Sequence, residues 1–267
     1  MNHLLRDQAP ISDEAWSLLD GEAKERLTVA LGARALIDFT GPFGWQHSAT
    51  DLGRLGPAVP SPAEAVTARP RAVLPLAEVR ADFTVQRGEL QDFSRGAVDP
   101  DLSSLDEAAL RMAAVENAAV FHGWDELGMI GIIDASPHQP ISRNVDRNRY
   151  AQQVASGVAA LRRSGISGPY GLALSPSAYT EVIETSEHGG YPLLDHLHKI
   201  LGGPIAWVPG IRQGVVLSVR GGDFLLESGE DFAIGYAGHD SETVSLYLEE
   251  TFSFRVATPE AAVALAE

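Results

Sequence analysis

The chain has 267 residues, 45% of them hydrophobic and 21% charged, which fits a globular protein of one large domain or two small ones. A net charge of −16 argues against nucleic acid as a partner, because neutralising phosphates takes a basic face. The absence of cysteine excludes disulfides, thiolate chemistry and Cys-based metal sites, and no apolar run approaches the roughly 18 residues of a membrane span. The opening MNHLLRDQAPISDEAW lacks a signal-peptide pattern, so the expected location is the cytoplasm, with no membrane partner.

Ser12 is placed to cap a helix from Asp13 to about Leu31, with Trp16, Leu19, Ala23, Leu27 and Ala30 as its apolar stripe. The alternation in Ala33 to Phe39 predicts a strand, and Gly41 to Trp45 a turn. Between Asp51 and Pro75, five prolines (Pro57, Pro60, Pro62, Pro70, Pro75) with Gly53 and Gly56 exclude a compact element. A strand, Leu74 to Val85, follows. The simplest reading is an extended, hairpin-like arm that cannot bury its own backbone and lies on something else, such as another copy of the chain. After a turn-rich approach (Gly88 to Asp101), Ser104 to Gly123 reads as one long helix with a Ser104–Glu107 capping box. Leu105, Ala109, Met112, Ala119 and Val120 share a face with Glu116, and alanines make other faces apolar too, so the helix is expected between layers.

From Asp134 the pattern becomes α/β. It comprises a helix from about Val145 to Arg163, the strand GPYGLALS, a helix opened by Ser175-Pro176, and a loop from Ser186 to Tyr191. A helix from Pro192 to Leu201 and strands over 204–209 and 214–219 complete it. Residues 134–220 thus look like a compact inserted lobe. DFLLES, DFAIGYAG, VSLYLEE and TFSFRV are short alternating strands, and Glu260 to Ala266 is a brief helix or tail.

Chemistry is sparse. G-x-S-x-G, P-loop, H-E-x-x-H and G-x-G-x-x-G patterns are all missing, and nothing assembles a nucleophile, a base and an oxyanion site, so no catalytic residue is assigned and the chain is not expected to be an enzyme. His196 and His198, two apart on a helix, cannot share a metal. His122 at a helix end reads as structural or dipole-related. His188, in a Gly-rich acidic loop, is an exposed histidine or a functional one. Glu116 is either half of a buried ion pair with an arginine or a perturbed acid. Gly221 to Phe254 carries eight acidic residues (Asp223, Glu227, Glu230, Asp231, Asp240, Glu242, Glu249, Glu250) and no Lys or Arg; a solvated face is favoured over a metal site, as no dense ligand spacing appears.

Taken together these segments resemble the encapsulins, bacterial shell proteins also called linocin-like bacteriocins. The resemblance runs through Ala9-Pro10 and Trp16, GARALIDFTGPFGWQHSA, LPLAEVRADFTV, DLSSLDEAA, VFHGW, GIIDASP, SGISGPYGLALS, EHGGYPLLDHL, VVLSVRGGDFLLESGEDFAIGY and ETFSFRVATPEAA, almost the full length. It implies an α+β, tailed-phage capsid-like fold. Its expected parts are a peripheral domain with its N-terminal helix (1–50), an extended loop across a neighbour (51–82), the spine helix region (83–133), an axial domain (134–220) and a C-terminal return to the peripheral domain (221–267). It implies a nanocompartment of roughly sixty copies closed by point-group symmetry.

The resemblance also implies a cargo enzyme, a dye-decolourising peroxidase or a ferritin-like iron-storage protein, carrying a C-terminal targeting peptide. Haem or iron would belong to the cargo, with no cofactor or metal in the shell; Gly88 stands where some relatives hold an aromatic residue for a flavin, so no flavin is implied. The peptide would dock on Leu27, Ala30, Leu31, Arg34, Asp38, Phe232, Ile234 and Tyr236, and Arg34→Glu is expected to cut loading while sparing assembly. Glu187, His188, Gly189, Gly190 and Tyr191 would line the five-fold pore and filter small molecules. The competing readings are a prophage-type capsid protein, disfavoured by the net charge, and a secreted bacteriocin or hydrolase, disfavoured by the missing catalytic constellation and signal peptide.

Overall fold

The computed structural model describes residues 3–142, 150–186 and 190–266. Ser12 accepts a hydrogen bond from the Ala15 N–H, and Asp13 and Glu14 put negative charge on the first turn of α1 (Asp13–Ala30). Its buried stripe is the expected one, with Ala15 added. The strand expected over 33–39 is mostly absent. A Cβ on Gly32 would sit 2.1 Å from the Trp207 carbonyl, so only glycine allows this close approach. The Ala33 N–H bonds to the Asn117 side chain, and a 3-10 turn takes residues 32–35. Only β1 (Asp38–Thr40) remains extended.

β2 (Ala49–Leu55) and β3 (Arg71–Pro75) pair antiparallel and form a two-stranded ribbon of their own, with Leu55, Val59, Val66 and Val73 exposed along it. β4 (Ala77–Gln86) follows, and the segment read as turn-rich contains α2 (Arg87–Ser94), which buries Leu90. α3 (Ser103–His122) is buried on several sides, between α1 and β4. The capping box does not form. The helix starts one residue early, the cap position is Leu102, and the Ser104 hydroxyl instead donates to the Thr84 carbonyl, tying α3 to β4.

α4 (Ile132–Ala135) leads into the second half. α5 is described over Tyr150–Arg163, and the expected beginning at Val145 lies outside the described residues. β5 (Tyr170–Leu174) is followed by α6 (Pro176–Glu184), capped by Ser175 with proline at its start, then α7 (Leu193–Leu201), β6 (Gly202–Trp207) and β7 (Gly214–Ser218). β8 (Phe224–Ser228) and β9 (Ala233–His239) precede β10 (Thr243–Val256), which fuses the two strands expected there into one of 14 residues. The supposed tail is β11 (Ala262–Leu265), fully buried and antiparallel to β7. Its run of small apolar residues has no alternation to reveal a strand covered on both faces.

Two sheets result, one ordered β1-β8-β10-β4 with β9 on β10, the other ordered β11-β7-β5-β6. β10 is the hub of the first: β4 pairs along one edge from Thr243 to Phe252, while β9 and β8 share the other. One core cluster packs α1 and α3 against β4, β9 and β10, and another fills the second sheet and its helices.

Candidate functional site

A groove of about 660 Å³ runs between α1 and the start of β9. Ala23, Lys24, Leu27, Thr28 and Leu31 form the helix side, Asp231, Phe232, Ala233 and Ile234 the strand side, and Leu248 of β10 contributes from the sheet. The i, i+4 spacing of Ala23, Leu27 and Leu31 puts them on one face, and Ser12 fixes where that face begins. The N-terminal segment also lines the groove through Leu4 and Arg6, and it bonds to β9. The Tyr236 N–H donates to the Leu4 carbonyl, and the Arg6 Nε donates to the Ile234 carbonyl at 2.7 Å. The Arg6 guanidinium also grips both oxygens of Asp20, at 2.8 and 2.6 Å, and lies over the Trp16 ring.

Arg34 lines the groove too. Its Nε lies 3.0 and 2.9 Å from the two oxygens of Glu116, Nη1 is 2.9 Å from Asp231, and Nη2 is 2.7 Å from Glu250. Phe39 and Phe232 flank the guanidinium at 4.3 and 5.2 Å. Glu116 and Glu250 are 0% and 1% exposed. Burial pulls the Arg34 proton affinity down, but the hydrogen bond and charge of Glu116, then the charges of Glu250 and Asp231, more than reverse this and keep it charged. Burial pushes the Glu250 carboxyl well above the usual carboxylate range, and the Glu116 charge adds to the effect. Glu116 is therefore the ion-paired residue of the two alternatives left open by the sequence.

The structure brings five of the eight expected docking residues to this groove: Leu27, Leu31, Arg34, Phe232 and Ile234. Ala30 is instead fully buried, with its carbonyl accepting from Asn117. Asp38 lies away from the groove and accepts the Gly222 N–H at 2.6 Å. Tyr236 offers its backbone to Leu4 and its hydroxyl to His239. The sequence reading missed Asp20, Ala23, Lys24 and Thr28, which the helical spacing from Leu27 and Leu31 does indicate. It also missed Leu4 and Arg6, which carry no periodic signal because the β9 residues that hold their backbone and Nε, Tyr236 and Ile234, lie more than 200 residues away.

Of the expected pore residues, Glu187, His188 and Gly189 lie outside the described residues. Gly190 has φ +79°, a value glycine adopts freely, and exposed Tyr191 meets His196 edge-on at 6.4 Å with the Lys199 Nζ 4.9 Å from its ring centroid. His122 accepts the Arg212 N–H at 3.3 Å, and burial followed by the Arg212 charge lowers its pKa, consistent with a structural role. The acidic stretch is not the solvated face expected of it. Asp223 pairs with Arg220, Glu227 with His47, Asp231 and Glu250 with Arg34, and Glu230 and Glu249 both face His3.

The groove, with apolar side chains and both signs of charge in its lining, can hold a peptide segment with apolar side chains, but it offers no nucleophile paired with a base. Residues 1–253 match the family described as "Encapsulating protein for peroxidase". A type 1 encapsulin shell protein of Rhodospirillum rubrum is 44% identical over 270 residues, covering 99% of this chain and 96% of the relative. Among solved structures, a virus-like particle from Pyrococcus furiosus shares the fold with a TM-score of 0.63 at 16% identity, over 94% of this chain and 98% of that one. The capsid of an empty GTA particle does so with a TM-score of 0.53 at 14% identity, over 89% and 90%. The α+β architecture is thus that of tailed-phage capsids. The chain belongs to the encapsulins, as a self-assembling shell component of a nanocompartment rather than an enzyme.

Proposed function

We propose that the groove between α1 and residues 231–234 receives the C-terminal targeting peptide of the enclosed cargo enzyme. The observation that carries this is the groove itself, whose lining combines the apolar side chains of Leu27, Leu31, Phe232 and Ile234 with the charged ones of Arg6, Asp20, Lys24, Arg34 and Asp231. An extended peptide with a few apolar anchors fits such a surface, and many weak sites acting on an oligomeric cargo add up to firm retention. The cargo is a dye-decolourising peroxidase or a ferritin-like iron-storage protein, and the family description favours the peroxidase. The haem or iron belongs to that cargo, and the compartment lies in the cytoplasm.

The shell is built from roughly sixty copies. The ribbon of β2 and β3 with the chain between them, residues 49–75, is the arm that crosses a neighbouring subunit, shorter than the expected 51–82 because β4 already pairs with β10 from Ala77 on: a two-stranded ribbon is marginal alone in water, and covering Leu55, Val59, Val66 and Val73 gives it the burial it lacks. Residues 134–220 form the axial domain, with the segment 187–191 at the five-fold pore and β11 completing its sheet, and the remainder of the chain outside the ribbon forms the peripheral domain.

Arg34→Glu is a poor test of docking, since it would set another carboxylate against Glu116 and Glu250. Leu31→Asp and Phe232→Ala are better. Each is expected to reduce the cargo co-purified per shell by at least about tenfold, with particle size unchanged in negative-stain images. Equal cargo recovery from both variants and the wild type would overturn the assignment.

A further inference from the structure

Beside the groove, on the other face of the first sheet, lies a cluster with no part in cargo docking. His3 stacks on Trp45, with centroids 4.6 Å apart and planes 11° from parallel. Its Nε2 is 2.7 Å from Glu230 Oε2 and 3.1 Å from Glu249 Oε1. The three atoms lie within 4.8 Å of one another, and among the described residues no other three histidine or carboxylate ligands converge in this way. All three atoms are shielded from solvent, yet none makes a hydrogen bond of acceptable geometry. The Glu249 side chain is only 7% exposed.

Buried polar atoms are ordinarily satisfied, so three orphans pointing at one place need a common partner. A proton on Nε2 lies along one line and serves one oxygen. A cation between the three atoms serves all of them and offsets the two neighbouring carboxylates. Arg80 does not take that place, for it bonds Asp82 and lies over the Tyr247 ring. The backbone already holds His3 in position: its carbonyl accepts the Tyr247 hydroxyl at 3.4 Å, and the next carbonyl, of Leu4, accepts the Tyr236 N–H. On the sheet side, Glu230 is fixed by its N–H bond to the Thr251 hydroxyl.

We propose that His3, Glu230 and Glu249 form a binding site for a divalent first-row transition metal ion. One imidazole with two carboxylates suits zinc, iron(II) or manganese(II); calcium and magnesium prefer a fuller set of oxygens. The ion cross-links the N-terminal segment to β9 and β10. Leu4 and Arg6, which follow directly, line the groove, so the ion also holds that part of its lining in place. The site stands whatever occupies the groove.

The test is calorimetric titration of chelator-treated shells with Zn²⁺, using wild type, His3→Ala and Glu249→Gln. The expected result is one saturable Zn²⁺ per subunit in the wild type and at least tenfold weaker binding in both variants. His3 lies outside both hydrophobic cores, so its removal leaves the fold intact, and particle size in negative stain checks this for each variant. Equal affinity and stoichiometry in wild-type and His3→Ala shells would overturn the proposal.

Discussion

Glu249 and Glu250 are neighbours on β10, and the pleat of the strand sends them to opposite faces. Glu250 enters a node in which Arg34 meets Glu116, Glu250 and Asp231 with close hydrogen bonds. Glu249 enters a node in which His3 approaches two carboxylates without bonding either in good geometry. Both nodes draw on one acidic stretch and lie on opposite faces of one sheet, yet they differ in completeness. The Arg34 node is closed by its own side chains. The His3 node brings one imidazole and two carboxylates together without satisfying any of the three facing atoms. Acidic residues packed on a sheet can therefore be either finished structure or a candidate ligand set, and hydrogen-bond satisfaction separates the two where burial does not.

Breaking the closed node should have the largest effect. Arg34→Ala strands Glu116 and Glu250 in the interior and is expected to cost about 3–5 kcal/mol, enough to abolish most recovery of assembled shells. Denaturant titration of the subunit, or particle yield at matched expression, measures it. A variant that assembles at wild-type yield would show that the node is not needed for folding.

Glu250→Gln sharpens the same point through pH. Burial and Glu116 raise the Glu250 pKa in the folded chain, so the native state holds a proton there that the unfolded chain releases above its ordinary value of 4.5. The stability tied to this proton is complete below that value and declines as pH rises toward the raised folded value. Glutamine keeps the shape and removes the titration. Thermal melting from pH 5 upward should show the wild type losing ground steadily to Glu250→Gln. Parallel curves for the two proteins would contradict the assignment.

The open node should respond least. With chelator present, Glu249→Gln removes one of two facing carboxylates and is expected to change stability by less than about 1 kcal/mol in either direction. Adding Zn²⁺ should stabilise the wild type and leave this variant unmoved. A large loss on substitution in chelator would mean that the His3 node, like the Arg34 node, is complete as it stands.

Much of the helical architecture is legible from periodicity and caps. Ser12 and the Trp16–Ala30 stripe mark α1, Ser175-Pro176 marks α6, and the apolar faces of Ala108, Met112 and Val120 mark α3 as a helix between layers. The failures share a cause, since each depends on a distant partner. Asn117 diverts the Ala33 N–H from a strand, Thr84 captures the hydroxyl that would have capped α3, and β7 turns a featureless alanine-rich tail into β11. The candidate groove was legible chiefly through family resemblance. Helical spacing joins Ala23 to Leu27 and Leu31, but it cannot say that Phe232 and Ile234 face them. The acidic stretch misled for a related reason: the residues it faces, His3, Arg34 and His47, lie at the far end of the chain.

The most direct measurement is electron cryo-microscopy of cargo-loaded shells purified from their native host. The account predicts closed particles with extended, peptide-like density lying between α1 and residues 231–234, against Leu27, Leu31 and Phe232. Loaded shells in which that groove is empty and cargo density meets the wall elsewhere would contradict it.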